Sequence, residues 1–125
     1  VTIKVLIVDD TDHVREMLAQ MLMLDGFDVV GKAGGAEEGI ELARTKTPDI
    51  VIMDYKMPEM DGVTATKRIR MHSPTIPVIL YTAYLDQDLE RKAADAGVSA
   101  CIGKIEGLAS LEREISALCL ELAEH

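Results

Sequence analysis

Cysteine is scarce in this chain. Cys101 and Cys119 are the only two, too few for a disulfide framework or a zinc site, and reduced thiols in a cytoplasm are the simplest reading. Basic residues are also short: 13 Lys and Arg stand against 22 Asp and Glu, a formal net charge of −9. That balance argues against nucleic acid or an anionic membrane as a direct partner, because phosphate contacts need clustered Lys and Arg. No apolar run approaches the roughly 18–20 residues of a membrane span, and no signal-peptide pattern opens the chain. Internal repeats, linkers and low-complexity tracts are missing. The one glycine-rich stretch, Gly31-Lys32-Ala33-Gly34-Gly35, matches neither phosphate-binding glycine motif and reads as a strand exit and turn. What remains is 125 residues, 48% hydrophobic and 28% charged, the length and composition of one globular domain over 1–125.

Apolar runs alternate with helical periodicity along its whole length. Ile3 to Val8 is β-branched and apolar and stops at Asp9-Asp10. Val14, Met17, Leu18, Met21 and Leu22 then form the stripe of an amphipathic helix, with Thr11 or Asp12 as its cap and Asp25-Gly26 as its end. Strands are expected at 28–33, 49–53, 77–82 and 98–103. Helices are expected from Ala36 to Ala43, from the Asp61-Gly62 loop to about His72, and through Leu85, Leu89, Ala93 and Ala96. A last helix carries Leu111, Ile115, Leu118 and Leu122. The methionines on the first helix look like core filler, and His13 and His72 like solvent-facing helix residues.

Five strands alternating with five helices imply βαβ crossovers, hence a parallel sheet covered on both faces. Near-continuous apolar strands such as VLIV, IVIM and VIL fit that burial. The expectation is an α/β fold, an open doubly wound (βα)5 sheet. Ligands in such sheets sit outside the carboxyl ends of the strands.

Those ends carry chemistry. Strand 1 ends in Asp9 and Asp10, strand 3 in Asp54, strand 4 in Thr82, and strand 5 in Gly103-Lys104. Two carboxylates 4 Å apart repel by about 4 kcal/mol at an effective dielectric of 20. Three together need a cation or raised pKa values. Oxygen donors without His or Cys suit Mg²⁺, which commonly binds through carboxylates plus a phosphate. Lys104 and Thr82 would then offer a charge and a hydroxyl to phosphoryl oxygens. Singly, each residue has a plainer role: Asp9 and Asp10 as helix caps, Asp54 as a loop carboxylate, Thr82 as a β-former, Lys104 as a surface charge. Their joint placement at matching strand ends argues for one site.

The segments VLIVDD at 5–10, DIVIMDYKMPEMDG at 49–62, VILYTA at 78–83 and AGVSACIGK at 96–104 together resemble the receiver domain of two-component response regulators. The resemblance implies a flavodoxin-like fold of strand order 2-1-3-4-5, the order known for the chemotaxis member of that family. It implies that Asp54 accepts a phosphoryl group from a sensor histidine kinase or phosphotransfer protein, without the chain being an enzyme in the ordinary sense. Asp10 and Asp54 would hold Mg²⁺ or Mn²⁺ with the backbone carbonyl of Lys56, and Asp9 would act largely through water. Thr82 and Lys104 would couple the acyl phosphate to a face formed by helix 4, strand 5 and helix 5, the place for an output domain or a homodimer. The family often has an aromatic residue where this chain has Cys101, and a proline where Ile105 follows Lys104. The second departure resembles the branch that regulates transcription through a C-terminal helix-turn-helix domain. A rival, the aspartate-nucleophile phosphatases, needs a second aspartate two residues after the first; that position is Lys56. A purely structural module with a degenerate receiver fold would be expected to lack one of the five site residues, and all five are present.

Overall fold

The computed structural model describes residues 2–124; Val1 and His125 lie outside them. Five strands alternate with five helices: β1 (Lys4–Val8), α1 (Asp12–Leu24), β2 (Asp28–Ala33), α2 (Ala36–Lys46), β3 (Ile50–Met53), α3 (Gly62–His72), β4 (Val78–Thr82), α4 (Gln87–Asp95), β5 (Ala100–Gly103) and α5 (Leu108–Glu124). The strands form one parallel sheet of order β2-β1-β3-β4-β5, the doubly wound topology expected from the sequence.

Side chains alternate across a strand, and both faces of this sheet are covered. Leu6, Val8, Val51, Met53, Val78 and Leu80 pack with Ala43 of α2, Val63 and Ile69 of α3, and Leu89 and Ala93 of α4. Val5, Ile7, Ile50, Ile52, Ile79 and Tyr81 pack with Leu18 and Leu22 of α1 and Leu111, Ile115 and Leu118 of α5. Burial on two sides is why β1, β3 and β4 read as unbroken apolar runs.

Local chemistry moves the starts of α4 and β5 from their expected places. The carboxylate of Asp86 accepts the Leu89 N–H (2.8 Å), so α4 starts at Gln87 and leaves Leu85 outside. At the other end Gly97 takes φ +90°, and the Val98 N–H turns back to the Ala93 carbonyl at 2.9 Å. Only glycine adopts that conformation cheaply, and β5 accordingly begins at Ala100 instead of Val98. Thr11, not Asp12, stands at the cap of α1. The reading of the α1 methionines as core filler is wrong for two of them: Met17 and Met23 are exposed, because Leu18, Ala19 and Leu22 already fill the face turned to the sheet. His13 and His72 are exposed as expected.

Candidate functional site

Strand register places the acidic residues. Val8 and Met53 are partners across β1 and β3, and the Asp54 N–H donates to the Val8 carbonyl at 2.8 Å. The residues that follow those two strands, Asp9 and Asp54, therefore leave the sheet side by side. Asp9 is almost fully engaged. Its N–H donates to the Ala33 carbonyl (3.0 Å), its Oδ1 accepts the Thr11 N–H (2.9 Å), and its carbonyl accepts from Arg15 Nη1 (2.6 Å). Asp9 thus braces the turn that leads into α1 while also facing the site; the cap residue of the helix is Thr11. Oxygen atoms of Asp9, Asp10 and Asp54 all lie within 4.8 Å of one another. Asp9 and Asp54 are buried and Asp10 is exposed.

Lys104 answers this charge. Its Nζ is 3.0 Å from Asp9 Oδ2 and 3.6 Å from Asp54 Oδ1. One ammonium against three carboxylates leaves the site net negative. Burial, and then the Asp9 charge, raise the Asp54 pKa to about 6, against the opposing pull of Lys104. Burial works to lower the Lys104 pKa, but the Asp9 hydrogen bond and the neighbouring carboxylates outweigh it and hold the ammonium above its ordinary value. The site is short of positive charge.

An open cleft over the cluster is lined by Asp10, Asp54, Lys56, Pro58, Tyr84 and Lys104, among others. Lys56 sends its ammonium over the Tyr84 ring, 5.1 Å from the centroid, a cation–π pair across the cleft. No carboxyl group stands at position 56, where a phosphatase of the aspartate-nucleophile kind would need one. Thr82 sits at the end of β4, wholly buried, and does not line the cleft. Its hydroxyl oxygen accepts the Tyr84 N–H at 3.2 Å. Cys101 is half-buried against the α4 side of the sheet, and burial, with a smaller contribution from Glu90, pushes its thiol pKa up.

Two residues that matter here were not singled out from the sequence. Arg15, through the Asp9 carbonyl and an ion pair with Asp12, pins the β1–α1 turn; a lone arginine on an amphipathic helix carries no signal of that. Gly62 opens α3 directly under Asp54. A Cβ there would collide with the Asp54 carbonyl oxygen and come within 2.8 Å of Met53 Cγ, while its N–H donates to the Tyr55 carbonyl (2.7 Å). Asp61-Gly62 was legible as a turn, but not the close approach that requires the glycine.

The cluster fits a magnesium ion. All three converging side chains are carboxylates, a hard donor set with no nitrogen or sulfur, and the excess negative charge is what a divalent cation relieves. Asp9, Asp10 and Asp54 are the residues that would hold such an ion.

Residues 5–116 match the family model of the response regulator receiver domain. The chain is 40% identical over 130 residues to the transcriptional regulatory protein PdtaR of Mycobacterium tuberculosis, covering 96% of this chain and 63% of that protein. The chain thus spans less than two thirds of that relative's length. Its fold superposes on a two-component response regulator of the LuxR family from Aurantimonas sp. SI85-9A1 with a TM-score of 0.90 and 33% identity, covering 94% of this chain and 85% of that one. A chain of the CheX–CheY–BeF3–Mg²⁺ complex from Borrelia burgdorferi gives a TM-score of 0.88 at 27% identity, over 93% of this chain and 88% of that one. With three carboxylates and a lysine gathered at the ends of β1, β3 and β5, the chain belongs to the response regulator receiver domains, phospho-accepting modules of two-component signalling.

Proposed function

We propose that Asp54 is the phosphoacceptor of a two-component relay, fed by a sensor histidine kinase or a phosphotransfer protein. A carboxylate oxygen of Asp54 attacks phosphorus, the bond from phosphorus to the donor imidazole nitrogen breaks, and that nitrogen takes up a proton. Asp9, Asp10 and Asp54, with the Lys56 backbone carbonyl, would hold Mg²⁺, which supplies charge neutralisation for the transferring group. Lys104 stands ready as a second positive group beside Asp54. The juxtaposition of Asp9, Asp10, Asp54 and Lys104 carries this reading.

Thr82 transmits the change. Its hydroxyl is committed to the Tyr84 amide, so drawing it toward a phosphoryl oxygen would release the 83–86 loop ahead of α4. Ligand-driven switching requires such a differential contact between two states. The α4–β5–α5 face would be the output surface, against a further domain or a second copy. PdtaR is a transcriptional regulator, and transcriptional control by a longer protein is the matching role here, in the cytoplasm, with 1–125 as one receiver unit. No helix among the described residues is long and apolar enough to cross a membrane.

Intact mass after incubation with a small phosphodonor and Mg²⁺ tests the acceptor. One added phosphoryl group is expected on the wild type, none with EDTA and none on Asp54→Asn. Equal labelling of the Asn variant overturns the assignment.

A further inference from the structure

Lys104 reaches its two carboxylates from the end of an edge strand, and something must fix the direction in which it leaves. The next residue is Ile105, and Lys104–Glu106 form a single 3-10 turn. A proline at 105 would not suit this backbone, since the residue before proline is pushed out of the helical region that Lys104 adopts here. The turn is held another way. Glu106 folds back so that its Oε2 accepts the N–H of Gly103 at 2.8 Å. Gly103 is the last residue of β5, paired with Thr82 of β4. A Cβ at 103 would stand 3.3 Å from that same Oε2, tighter than ordinary contact, and would press the carboxylate back slightly. The Gly107 N–H donates to the Lys104 carbonyl at 3.1 Å, and Gly107 carries φ +86°, closing the turn from the far side. Glu106 approaches the peptide before Lys104, while the Lys104 ammonium is taken by Asp9 and Asp54.

We propose that Glu106 is a positioning residue: its carboxylate, bonded to the Gly103 amide, fixes the turn that aims Lys104 at Asp9 and Asp54. The inference rests on reading the acidic cluster as a magnesium site, and it makes a prediction opposite in sign to simple damage. A lysine no longer aimed at the cluster stops competing with the metal for the carboxylates, so magnesium should bind more tightly. General loosening of the site would scatter the carboxylates and weaken binding.

The experiment is calorimetric titration of Mg²⁺ into wild type, Glu106→Ala, Glu106→Gln and Lys104→Met, with the Gly103 amide followed by ¹⁵N NMR in metal-free protein. Glu106→Ala should shift the Gly103 amide resonance and raise Mg²⁺ affinity roughly threefold or more, as the Lys104 ammonium moves away from Asp9 and Asp54. Glu106→Gln keeps an acceptor oxygen and should stay within twofold (about 0.4 kcal/mol) of wild type. In the Lys104→Met background, Glu106→Ala should add nothing. If Glu106→Ala fails to fold, the Gln variant and a Glu106→Asp variant, whose shorter arm cannot span the same gap, carry the comparison. Unchanged or weakened Mg²⁺ binding in Glu106→Ala, or in Glu106→Asp where that variant stands in for it, overturns the proposal. Wild type that binds no Mg²⁺ overturns the reading of the site, and the proposal with it.

Discussion

The ammonium of Lys104 lies closer to Asp9, at 3.0 Å, than to Asp54, at 3.6 Å. The lysine is therefore first a counter-ion for the most buried carboxylate of the cluster, and only second a neighbour of Asp54. Removing it leaves the Asp9 carboxylate with a backbone N–H from Thr11 but no direct ion-pair partner, since Arg15 is bonded to the Asp9 carbonyl. Lys104→Met should lose about 1–3 kcal/mol of stability without metal, and Mg²⁺ should restore much of it. Asp54→Asn removes a repelling carboxylate and should gain about 1 kcal/mol under the same conditions. Urea unfolding with and without Mg²⁺ checks both signs; a destabilised Asp54→Asn would contradict the electrostatic picture.

The raised Asp54 pKa makes a pH signature. Its value of about 6, against an ordinary 3.8, means the native state holds a proton that the unfolded chain releases between those values. Where the native state binds more protons, stability falls as pH rises. The Asp54 contribution is thus fully present below about pH 4 and lost by about pH 6 in metal-free protein. Mg²⁺ needs the ionised form, so its affinity should climb over the same interval. The difference in urea midpoint between wild type and Asp54→Asn, measured from pH 4 to 7, isolates this group. A flat difference would show that Asp54 is not perturbed.

Gly62→Ala tests the packing under the site. Its new methyl would press on the Asp54 carbonyl and on Met53, both held by the sheet. The cost should be about 2–3 kcal/mol, read as a lower urea midpoint, with weaker Mg²⁺ binding because the β3–α3 turn must shift. Wild-type stability and affinity together would mean the turn relaxes freely.

Lys56 and Tyr84 face each other across the cleft, where water must approach a phosphorylated Asp54. Their bulk should make the phosphoryl state long-lived. Lys56→Ala with Tyr84→Ala should hydrolyse several-fold faster, followed by loss of the phosphorylated mass with time. Unchanged decay would remove the shielding role.

The link through Thr82 predicts a separation of functions. Thr82→Ala should still accept a phosphoryl group, yet lose the accompanying change in amide exchange over residues 83–96. Cys101→Ser, with no ring to rotate and a thiol already half-buried, should respond like wild type. A response lost in Cys101→Ser and kept in Thr82→Ala would reverse the assignment.

The period of the apolar residues was enough to determine five strands, five helices and a parallel sheet, because burial on both faces writes itself as unbroken runs such as IVIM. The same sequence placed Asp9, Asp10, Asp54, Thr82 and Lys104 at strand ends, since a strand must stop where the apolar run stops. It could not say which of these side chains meet. That depended on register: Val8 pairs with Met53, which sets Asp9 beside Asp54, and β5 pairs with β4 so that Lys104 reaches across to both. Thr82 lies at the right strand end but turns its hydroxyl to the Tyr84 amide, a choice made by loop geometry. Arg15 on the Asp9 carbonyl, Gly62 under Asp54 and Glu106 on the Gly103 amide involve atoms that local patterning cannot see. A residue's periodicity reports which side of an element is dry; contacts between loops at the sheet edge depend on how separate elements are brought together, and only the packed tertiary structure decides that.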